Sequence, residues 1–274
     1  MSGTFYVIGT PIGNLEDITL RQLDTLAAVD FICAEDTRVT LKLLNRFDIK
    51  KQLISFHEHS SKADAQRIID RLLAGESCGI VTDAGMPCIS DPGEVLVRLC
   101  AEQGIDIKVV PGPSAVVSAV AVSGLSTRRF TFEGFLPVPK KERAERLEKL
   151  RGETAVMVFY EAPHKLKTTL ADLCELFGGD RRIALCRELT KIHEEVIRLT
   201  LAEAVEYYNI NEPKGEFVLV LEGASENAED GITIEQAMEQ VMKLIDMGEK
   251  PTEACKAVAK ETGFRKSELY AKLQ

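Results

Sequence analysis

The first 125 residues repeat one pattern: a short apolar stretch, a polar or glycine-containing loop, and a segment with helical spacing of apolar residues. The clearest copy is the apolar run 78–81, which breaks at DAG (83–85) and reaches DPG (91–93), typical of a helix cap and first turn. Repeated strand–loop–helix units predict a mostly parallel sheet. Such sheets bind ligands outside the carboxyl ends of their strands, so we expect the loop 82–93 at a ligand site.

Other predicted strands in this part of the chain also end in polar or glycine-containing loops, among them TPIGNL (10–15), EDTR (35–38) and PGPSA (111–115). In PGPSA, Gly112 allows a tight turn and Pro113 suits a first helical position, so the helix amides face the strand ends. None of these loops is Gly-x-Gly-x-x-Gly or a Walker A sequence. The sequence therefore offers no motif for a dinucleotide or a nucleoside triphosphate.

A second α/β domain is predicted from about residue 130, with later strands joined by short links that favour antiparallel pairing. The acidic stretch 224–230 is typical of a linker. Residues 233–274 have helical spacing, with Thr252 and Ser267 as expected caps, and form a helix-turn-helix pattern. We predict domains at 1–125, 126–228 and 229–274.

The helix-turn-helix pattern leaves two interpretations open. The segment contacts nucleic acid or a partner, or it is a helical cap that only packs. In the first case Arg265 and Lys266, in the predicted turn before the last helix, would be the contact residues.

Composition limits the class of protein. A net charge of −9 over 274 residues argues against a generally basic nucleic-acid coat but leaves room for a local basic face. Seven cysteines without a Cys-x-x-Cys pair indicate buried thiols in a reducing compartment. His57 and His59 have no evident third ligand, so no metal is expected. The N-terminus has no signal-like stretch and no apolar run reaches the length of a membrane span, so we expect a cytoplasmic protein.

Nine motifs in order carry a resemblance to a known family. They are TPIGNL (10–15), AEDTR (34–38), SFHEHS (55–60), TDAGMPCISDPG (82–93), PGPSA (111–115), FEGFLP (132–137), FYEAPHK (159–165), CRELTK (186–191) and GEFVLVLEG (215–223). Together they resemble the bacterial small-subunit ribosomal RNA cytidine 2′-O-methyltransferases, a branch of the tetrapyrrole methylase superfamily. The resemblance spans almost the whole chain, including the final helical segment.

The resemblance implies two α/β domains with S-adenosylmethionine held in the cleft between them, and a homodimer. This cofactor carries no phosphate, which agrees with the absence of a phosphate loop. Asp83 has two open roles, since it would face the cofactor or fix its loop by accepting backbone amides. The expected cofactor-binding residues are Pro11, Asp83, Gly85, Met86, Pro87, Ile89, Ser114, Ala115, Tyr160, Leu189 and Gly215.

Ribose methylation needs help at the acceptor hydroxyl, because the 2′-hydroxyl is a poor nucleophile until its proton leaves. Asp36 and Glu35, at the carboxyl end of a predicted strand, are candidates for the base, and Arg38 for holding phosphate or developing charge. A purely structural ion pair between Asp36 and Arg38 is the alternative. Methylases of tetrapyrroles usually carry Gly-Asp-Pro where this chain has GMP (85–87), which favours the RNA branch.

An RNA substrate, either small-subunit ribosomal RNA or the assembled small subunit, requires basic surface. Residues 128–151 contain eight Lys or Arg against four Glu, a local excess in an acidic chain. We expect Lys140, Lys141 and Arg143 to contact phosphates. Two other functions stay open: methylation of a tetrapyrrole or another small substrate, and a ligand-sensing regulator that binds nucleic acid.

Overall fold

The computed structural model describes residues 2–89, 91, 93–225, 234–262 and 264–273. The chain divides into two compact units. The larger unit comprises Met1–Glu148 and Val156–Glu222, and the smaller one Lys149–Ala155 and Gly223–Gln274. The predicted boundaries at residues 125 and 228 stay a prediction.

The larger unit begins with a five-stranded parallel sheet of order β3-β2-β4-β1-β5. Its strands are β1 (Thr4–Ile8), β2 (Phe31–Ala34), β3 (Gln52–Ser55), β4 (Cys78–Val81) and β5 (Asp106–Val110). The intervening and following helices are α1 (Leu20–Ala28), α2 (Thr37–Arg46), α3 (Lys62–Leu73), α4 (Glu94–Glu102) and α5 (Ala115–Ser123). The parallel sheet predicted from the repeated pattern is confirmed.

Helices cover both faces of this sheet, and alternate residues of β2 show it. Phe31 and Cys33 belong to a core cluster with α3 and α4, whereas Ile32 and Ala34 belong to one with α1 and α2. A strand buried on both faces reads as a continuous apolar run, which is why the strands were visible in the sequence.

The second half of the larger unit is a mixed sheet of order β6-β7-β10-β8-β9. Its strands are β6 (Phe130–Phe135), β7 (Val156–Glu161), β8 (Arg182–Arg187), β9 (Glu195–Thr200) and β10 (Phe217–Leu221), with helices α6 (Lys140–Glu148), α7 (Pro163–Phe177) and α8 (Leu201–Ile210). β6 is parallel to β7, and the remaining pairs are antiparallel, as predicted for the later strands. Helix α5 packs on this sheet through Val116, Ala119 and Val120, so it connects the two sheets.

The described residues of the smaller unit form the helices α9 (Ile234–Asp246), α10 (Pro251–Thr262) and α11 (Lys266–Ala271). They share a core of their own that includes Val241, Val258 and Leu269. The predicted helical character is confirmed, but two expected caps are wrong. Helix α10 already begins at Pro251, because proline is favoured at the first helical position, and α11 begins after Arg265, so Thr252 and Ser267 lie inside helices.

The structure also bears on the helix cap predicted at residues 91–93 and on the predicted linker. Helix α4 starts at Glu94 with Gly93 as its N-cap, and Asp91 accepts the Gly93 N–H at 2.9 Å instead of capping the helix itself. Pro92 lies outside the described residues, and so does the predicted linker 224–230 from residue 226 onward.

All seven cysteines are free, and no described helix is long and apolar enough to cross a membrane.

Candidate functional site

The loops that follow β1 and β4 are joined by backbone hydrogen bonds at the carboxyl edge of the parallel sheet. Thr10 N donates to Gly85 O at 2.9 Å, and Gly85 N donates to Thr10 O at 3.2 Å. The Thr10 hydroxyl adds a bond to Thr82 O at 3.1 Å. We call this contact the Thr10–Gly85 bridge. It holds two predicted ligand loops, separated by some seventy residues of sequence, as one surface.

Glycines make this close approach possible. Gly85 has φ +89°, in the left-handed region, and a Cβ there would lie 3.3 Å from Cγ2 of Ile12. A Cβ on Gly9 would lie 2.7 Å from Cα of Gly112, in the loop after β5. Met86 lies at the same junction, where its Sδ accepts the Gly112 N–H at 3.2 Å. Side chains at these glycines would separate the three loops.

A cavity of about 440 Å³ opens beside the loops after β1 and β5. It combines apolar walls with three hydroxyls and one carboxylate. Its lining residues are Ile12, Asp17, Thr19, Pro111, Gly112, Pro113, Ser118 and Thr190. Thr190, with φ +67°, has a buried hydroxyl without a hydrogen-bond partner in the described structure. An unpaired buried hydroxyl in a cavity wall indicates a ligand-binding role.

We call this space the larger cavity. Its lining contains none of the eleven expected cofactor residues but three of their sequence neighbours: Ile12 next to Pro11, Pro113 next to Ser114, and Thr190 next to Leu189. The motifs TPIGNL, PGPSA and CRELTK contain all three, so these motifs contribute to the cavity wall through neighbours of the expected residues, whose own role stays a prediction.

A smaller cavity of about 210 Å³ is also lined in part by the loop after β1. Leu15, Val39 and Leu43 supply apolar wall, and Asp83 supplies a carboxylate. The remaining lining residues are Thr10, Pro11, Thr40, Lys42 and Thr82. Pro11 and Asp83, both expected at the cofactor, lie here.

Three carboxylates are linked around the smaller cavity. Asp83 Oδ1 accepts the backbone N–H of Asp36 at 3.1 Å, and Glu35 Oε2 accepts the Thr82 hydroxyl at 2.6 Å. Asp83 therefore accepts a backbone amide, as one of its two predicted roles requires. Glu35 Oε2 also accepts the Asp83 N–H at 3.4 Å. The three residues belong to the carboxyl ends of neighbouring strands β2 and β4.

Hydrogen bonding and burial move two of these pKa values in opposite directions. Hydrogen bonds from the Arg38 side chain and backbone lower the pKa of Asp36 to about 2. Asp36 is also the N-cap of α2, accepting the Arg38 N–H at 2.8 Å. Burial, and the nearby charges of Glu35 and Asp36, raise the pKa of Asp83. Asp36 thus has the structural contacts of an ion pair and cap, whereas Asp83 is the stronger base.

Three expected cofactor residues from different elements come together at α5. Ala115, Tyr160 and Leu189 belong to one apolar cluster with Val116. Burial raises the pKa of the Tyr160 phenol, and its oxygen accepts the Val116 N–H. The Tyr160 ring also lies 4.9 Å from that of Phe132. Tyr160 therefore connects the end of β7 to the start of α5.

The remaining expected residues are spread around these loops. Pro87 is buried, Ser114 is the N-cap of α5, and Ile89 is 58% exposed. Gly215 has φ +82° and lies close to the Glu188 side chain, which accepts a hydrogen bond from Lys191 at 2.8 Å. Whether these residues hold a cofactor stays a prediction. The described residues contain no group of three or more His, Cys, Asp or Glu that could hold a metal ion.

The structure contradicts the phosphate contact predicted for Arg143. It is only 8% exposed, and its guanidinium donates to Asp172 Oδ2 at 2.5 Å and to the Thr169 hydroxyl at 2.8 Å. The Thr169 hydroxyl in turn donates to the buried Glu161. A charge run predicts a solvated helix face, but this position faces α7, so the guanidinium anchors α6 to the sheet layer.

The other four residues predicted to contact phosphates have exposed side chains. Lys140 and Lys141 are exposed on α6, and Lys141 Nζ lies 4.0 Å from Glu145. Arg265 and Lys266 are exposed at the start of α11 in the smaller unit. An exposed ion pair as loose as that of Lys141 adds little stability, so the ammonium group is free to exchange partners. Phosphate contact by these four stays a prediction.

The fold and the loops define an α/β protein with ligand cavities at the carboxyl edge of a parallel sheet. Residues 4–205 match the family model of Tetrapyrrole (Corrin/Porphyrin) Methylases, and the chain belongs to this family. The predicted superfamily and two-sheet fold are confirmed.

Two relatives with high sequence identity to this chain have the same name. The ribosomal RNA small subunit methyltransferase I of Halalkalibacterium halodurans is 45% identical over 271 residues, 98% of this chain and 93% of the relative. The protein of the same name from Thermotoga maritima is 50% identical over 221 residues, 81% of this chain and 99% of the relative. A solved uroporphyrin-III C-methyltransferase of Thermus thermophilus, complexed with S-adenosylhomocysteine, has a TM-score of 0.57 at 15% identity and covers 80% of this chain and 97% of its own, which shows the shared fold.

The buried position of Arg143 predicts a stability effect. Arg143→Ala should lower the free energy of unfolding by about 2–3 kcal/mol, because it leaves Asp172 and Thr169 without their partner. The exposed neighbour Lys141→Ala should change it by less than about 0.5 kcal/mol. Urea denaturation of both variants measures the difference. Equal stabilities would contradict the buried contact.

Proposed function

We propose that this protein transfers the methyl group of S-adenosylmethionine to a ribose 2′-hydroxyl of cytidine in small-subunit ribosomal RNA. The observation that carries the proposal is the pair of cavities that share the loop after β1, with Ile12 in the wall of the larger and Thr10 and Pro11 in the wall of the smaller. Methyl transfer needs a donor site and an acceptor site that meet at one wall, so that bound partners react in line. The names of the relatives supply the substrate class.

The larger cavity fits S-adenosylmethionine. Ile12 and the prolines of PGPSA offer apolar wall, Asp17 offers a carboxylate, and the unpaired Thr190 hydroxyl offers a hydrogen bond. When bound, the cofactor supplies an electrophilic methyl group on its sulfonium. We infer that the expected residues other than Pro11 and Asp83, which line the smaller cavity, hold it together with Ile12 and Thr190.

Asp83 is our choice for the group that takes the proton of the acceptor hydroxyl. It lines the smaller cavity, and its raised pKa makes it a better base than Asp36, whose pKa of about 2 leaves little affinity for a proton. The Asp36 N–H and the Glu35 carboxylate then act as positioning groups, since they contact Asp83 or its loop. Arg38, with an exposed side chain, is free on its outer side to meet a phosphate.

We further propose that Lys140, Lys141, Arg265 and Lys266 contact RNA phosphates. The homodimer implied by the resemblance is proposed too, and it would cover exposed valines of α5 such as Val117 and Val122. A ribosomal substrate and seven free cysteines favour a cytoplasmic location.

The test of the proposed function is a comparison of substrates. The protein is incubated with methyl-labelled S-adenosylmethionine and either small ribosomal subunits, free small-subunit RNA, or a tetrapyrrole precursor. The expected result is label in 2′-O-methylcytidine after digestion of the RNA to nucleosides. Label in the tetrapyrrole, or duplex DNA binding without any methyl transfer, would support one of the two other functions instead.

Substitution of Gly85 should impair the cofactor site. Gly85→Val places a branched side chain against Ile12 at the Thr10–Gly85 bridge, so the affinity for S-adenosylmethionine should fall at least tenfold. Gly104→Val is the matched control, because Gly104 has φ +66° but open space around it. Both variants carry a backbone cost of about 1–2 kcal/mol. Calorimetric titration that finds equal affinity in the two variants would remove Gly85 from the site.

Asp83→Asn should slow methyl transfer about a hundredfold or more without weakening cofactor binding, because the amide accepts the Asp36 N–H but takes no proton. In the wild type the rate should fall as the pH drops through the pKa of Asp83, which lies above the unperturbed value of 3.8, because only the carboxylate accepts a proton. Single-turnover rates across pH measure both effects. Asp24→Asn, on the exposed face of α1, is the control. A wild-type rate in Asp83→Asn would exclude this base.

Reversal of two α6 charges should weaken RNA binding. If Lys140 and Lys141 contact phosphates, the double change to Glu should lower the affinity for small subunits and flatten its salt dependence by about one to two units of slope. Lys50→Glu with Lys51→Glu makes the same charge change on the loop before β3 and should leave the slope alone. The affinity of each variant for small subunits, measured at several salt concentrations, gives the two slopes to be compared. Identical slopes in the two variants would place the RNA elsewhere.

A further inference from the structure

Thr40 is an unexplained polar residue in the wall of the smaller cavity. It lies in α2 and is 3% exposed. Its backbone N–H bonds to Asp36 O at 3.1 Å, but within the described part of the chain its hydroxyl forms no hydrogen bond. A hydroxyl without a protein partner in a cavity wall is available to a ligand that donates or accepts a hydrogen bond.

The walls around Thr40 suit a flat, uncharged ring. Leu15 and Val39 remain 44% and 38% exposed although they are apolar, and with Leu43 they line the same cavity. A volume of about 210 Å³ admits a single heterocycle but not a whole nucleotide. Apolar side chains on which a base can stack, beside one polar group, are the features that pockets for extruded bases share.

The charges of the cavity wall favour neither an anion nor a cation. Asp83 and Lys42 both line the cavity, so its wall carries one charged group of each sign. The exposed side chains of Lys42 and Arg38 reach solvent, where they can meet phosphates. This arrangement favours a neutral base against the cavity wall and the flanking phosphates outside.

We propose that the smaller cavity takes the base of the nucleotide whose ribose is methylated, with the Thr40 hydroxyl as its hydrogen-bond partner. This inference rests on the proposed function. The base enters between Leu15, Val39 and Leu43, and the attached ribose stays at the mouth, toward Asp83 and the Thr10–Gly85 bridge. A threonine hydroxyl both donates and accepts, so it can meet the exocyclic amine or the ring nitrogen of cytosine.

Thr40→Val tests the proposal, because valine keeps the shape and helix propensity of threonine and removes only the hydroxyl. Stability should be unchanged or higher, since no bond is lost in the free protein, and the affinity for S-adenosylmethionine should be unchanged. Methylation of small subunits should slow about 10–100-fold. Thr40→Ser, which restores a hydroxyl, should recover most of the rate.

Thr169→Val is the matched control for the stability measurement. Thr169 is also a buried threonine in a helix, but its hydroxyl bonds to Arg143 and Glu161. The same substitution there should destabilise the protein. If Thr40→Val destabilises it as much, the Thr40 hydroxyl has a structural partner and the proposal fails. If Thr40→Val weakens S-adenosylmethionine binding, the cavity belongs to the cofactor and the proposal also fails.

A substrate without the base separates this proposal from the proposed function. Once the methylated nucleotide has been mapped with wild-type protein, subunits are reconstituted with an abasic ribose at that position. Wild type and Thr40→Val should methylate them at the same reduced rate, because the partner of Thr40 is gone. If the wild type methylates ribose but Thr40→Val methylates normal subunits at the same rate as the wild type, only the base-pocket proposal is overturned. A wild type that transfers no methyl group to ribose overturns the proposed function and this inference with it.

Discussion

The pair of backbone hydrogen bonds between Thr10 and Gly85 is the contact on which the candidate site depends. Backbone bonds of this kind need two extended segments at close range, and only a residue without Cβ adopts φ +89° there at low cost. The bridge orients Ile12 toward one cavity and leaves Thr10 and Pro11 in the wall of the other. The two cavities therefore share one stretch of chain, the loop after β1.

The sheets and most helices could be predicted from the sequence, because buried parallel strands read as apolar runs and the loops between them carry glycine and proline. The placement of side chains in the site could not. Asp83 meets the Asp36 amide across 47 residues of sequence, and Tyr160 meets the first turn of α5. Arg143 shows the same limit, since its partner Asp172 is 29 residues away on another helix. Spacing carries local periodicity but not which distant residue completes a contact.

The helical unit at the end of the chain is separable from the methylase body in two respects. Its three helices have a core of their own, and the relative from Thermotoga maritima matches only 221 residues of this chain while 99% of its own length is covered. The unmatched length is close to that of the segment after β10. Both cavities described above lie in the body, outside this helical unit.

The carboxylates beside the smaller cavity illustrate how one cluster divides its roles. Asp36 is committed to Arg38 and to the N-terminus of α2, which keeps it ionised and makes it a fixed negative charge. That charge, with Glu35, raises the proton affinity of Asp83, the member that lines the cavity. Two acidic groups whose pKa values are pushed apart are the usual arrangement for assigning an acid–base role to one of them. The ion pair that the sequence suggested as a purely structural alternative is thus compatible with the proposed role of Asp83, because the Asp36 charge raises the pKa of that neighbour.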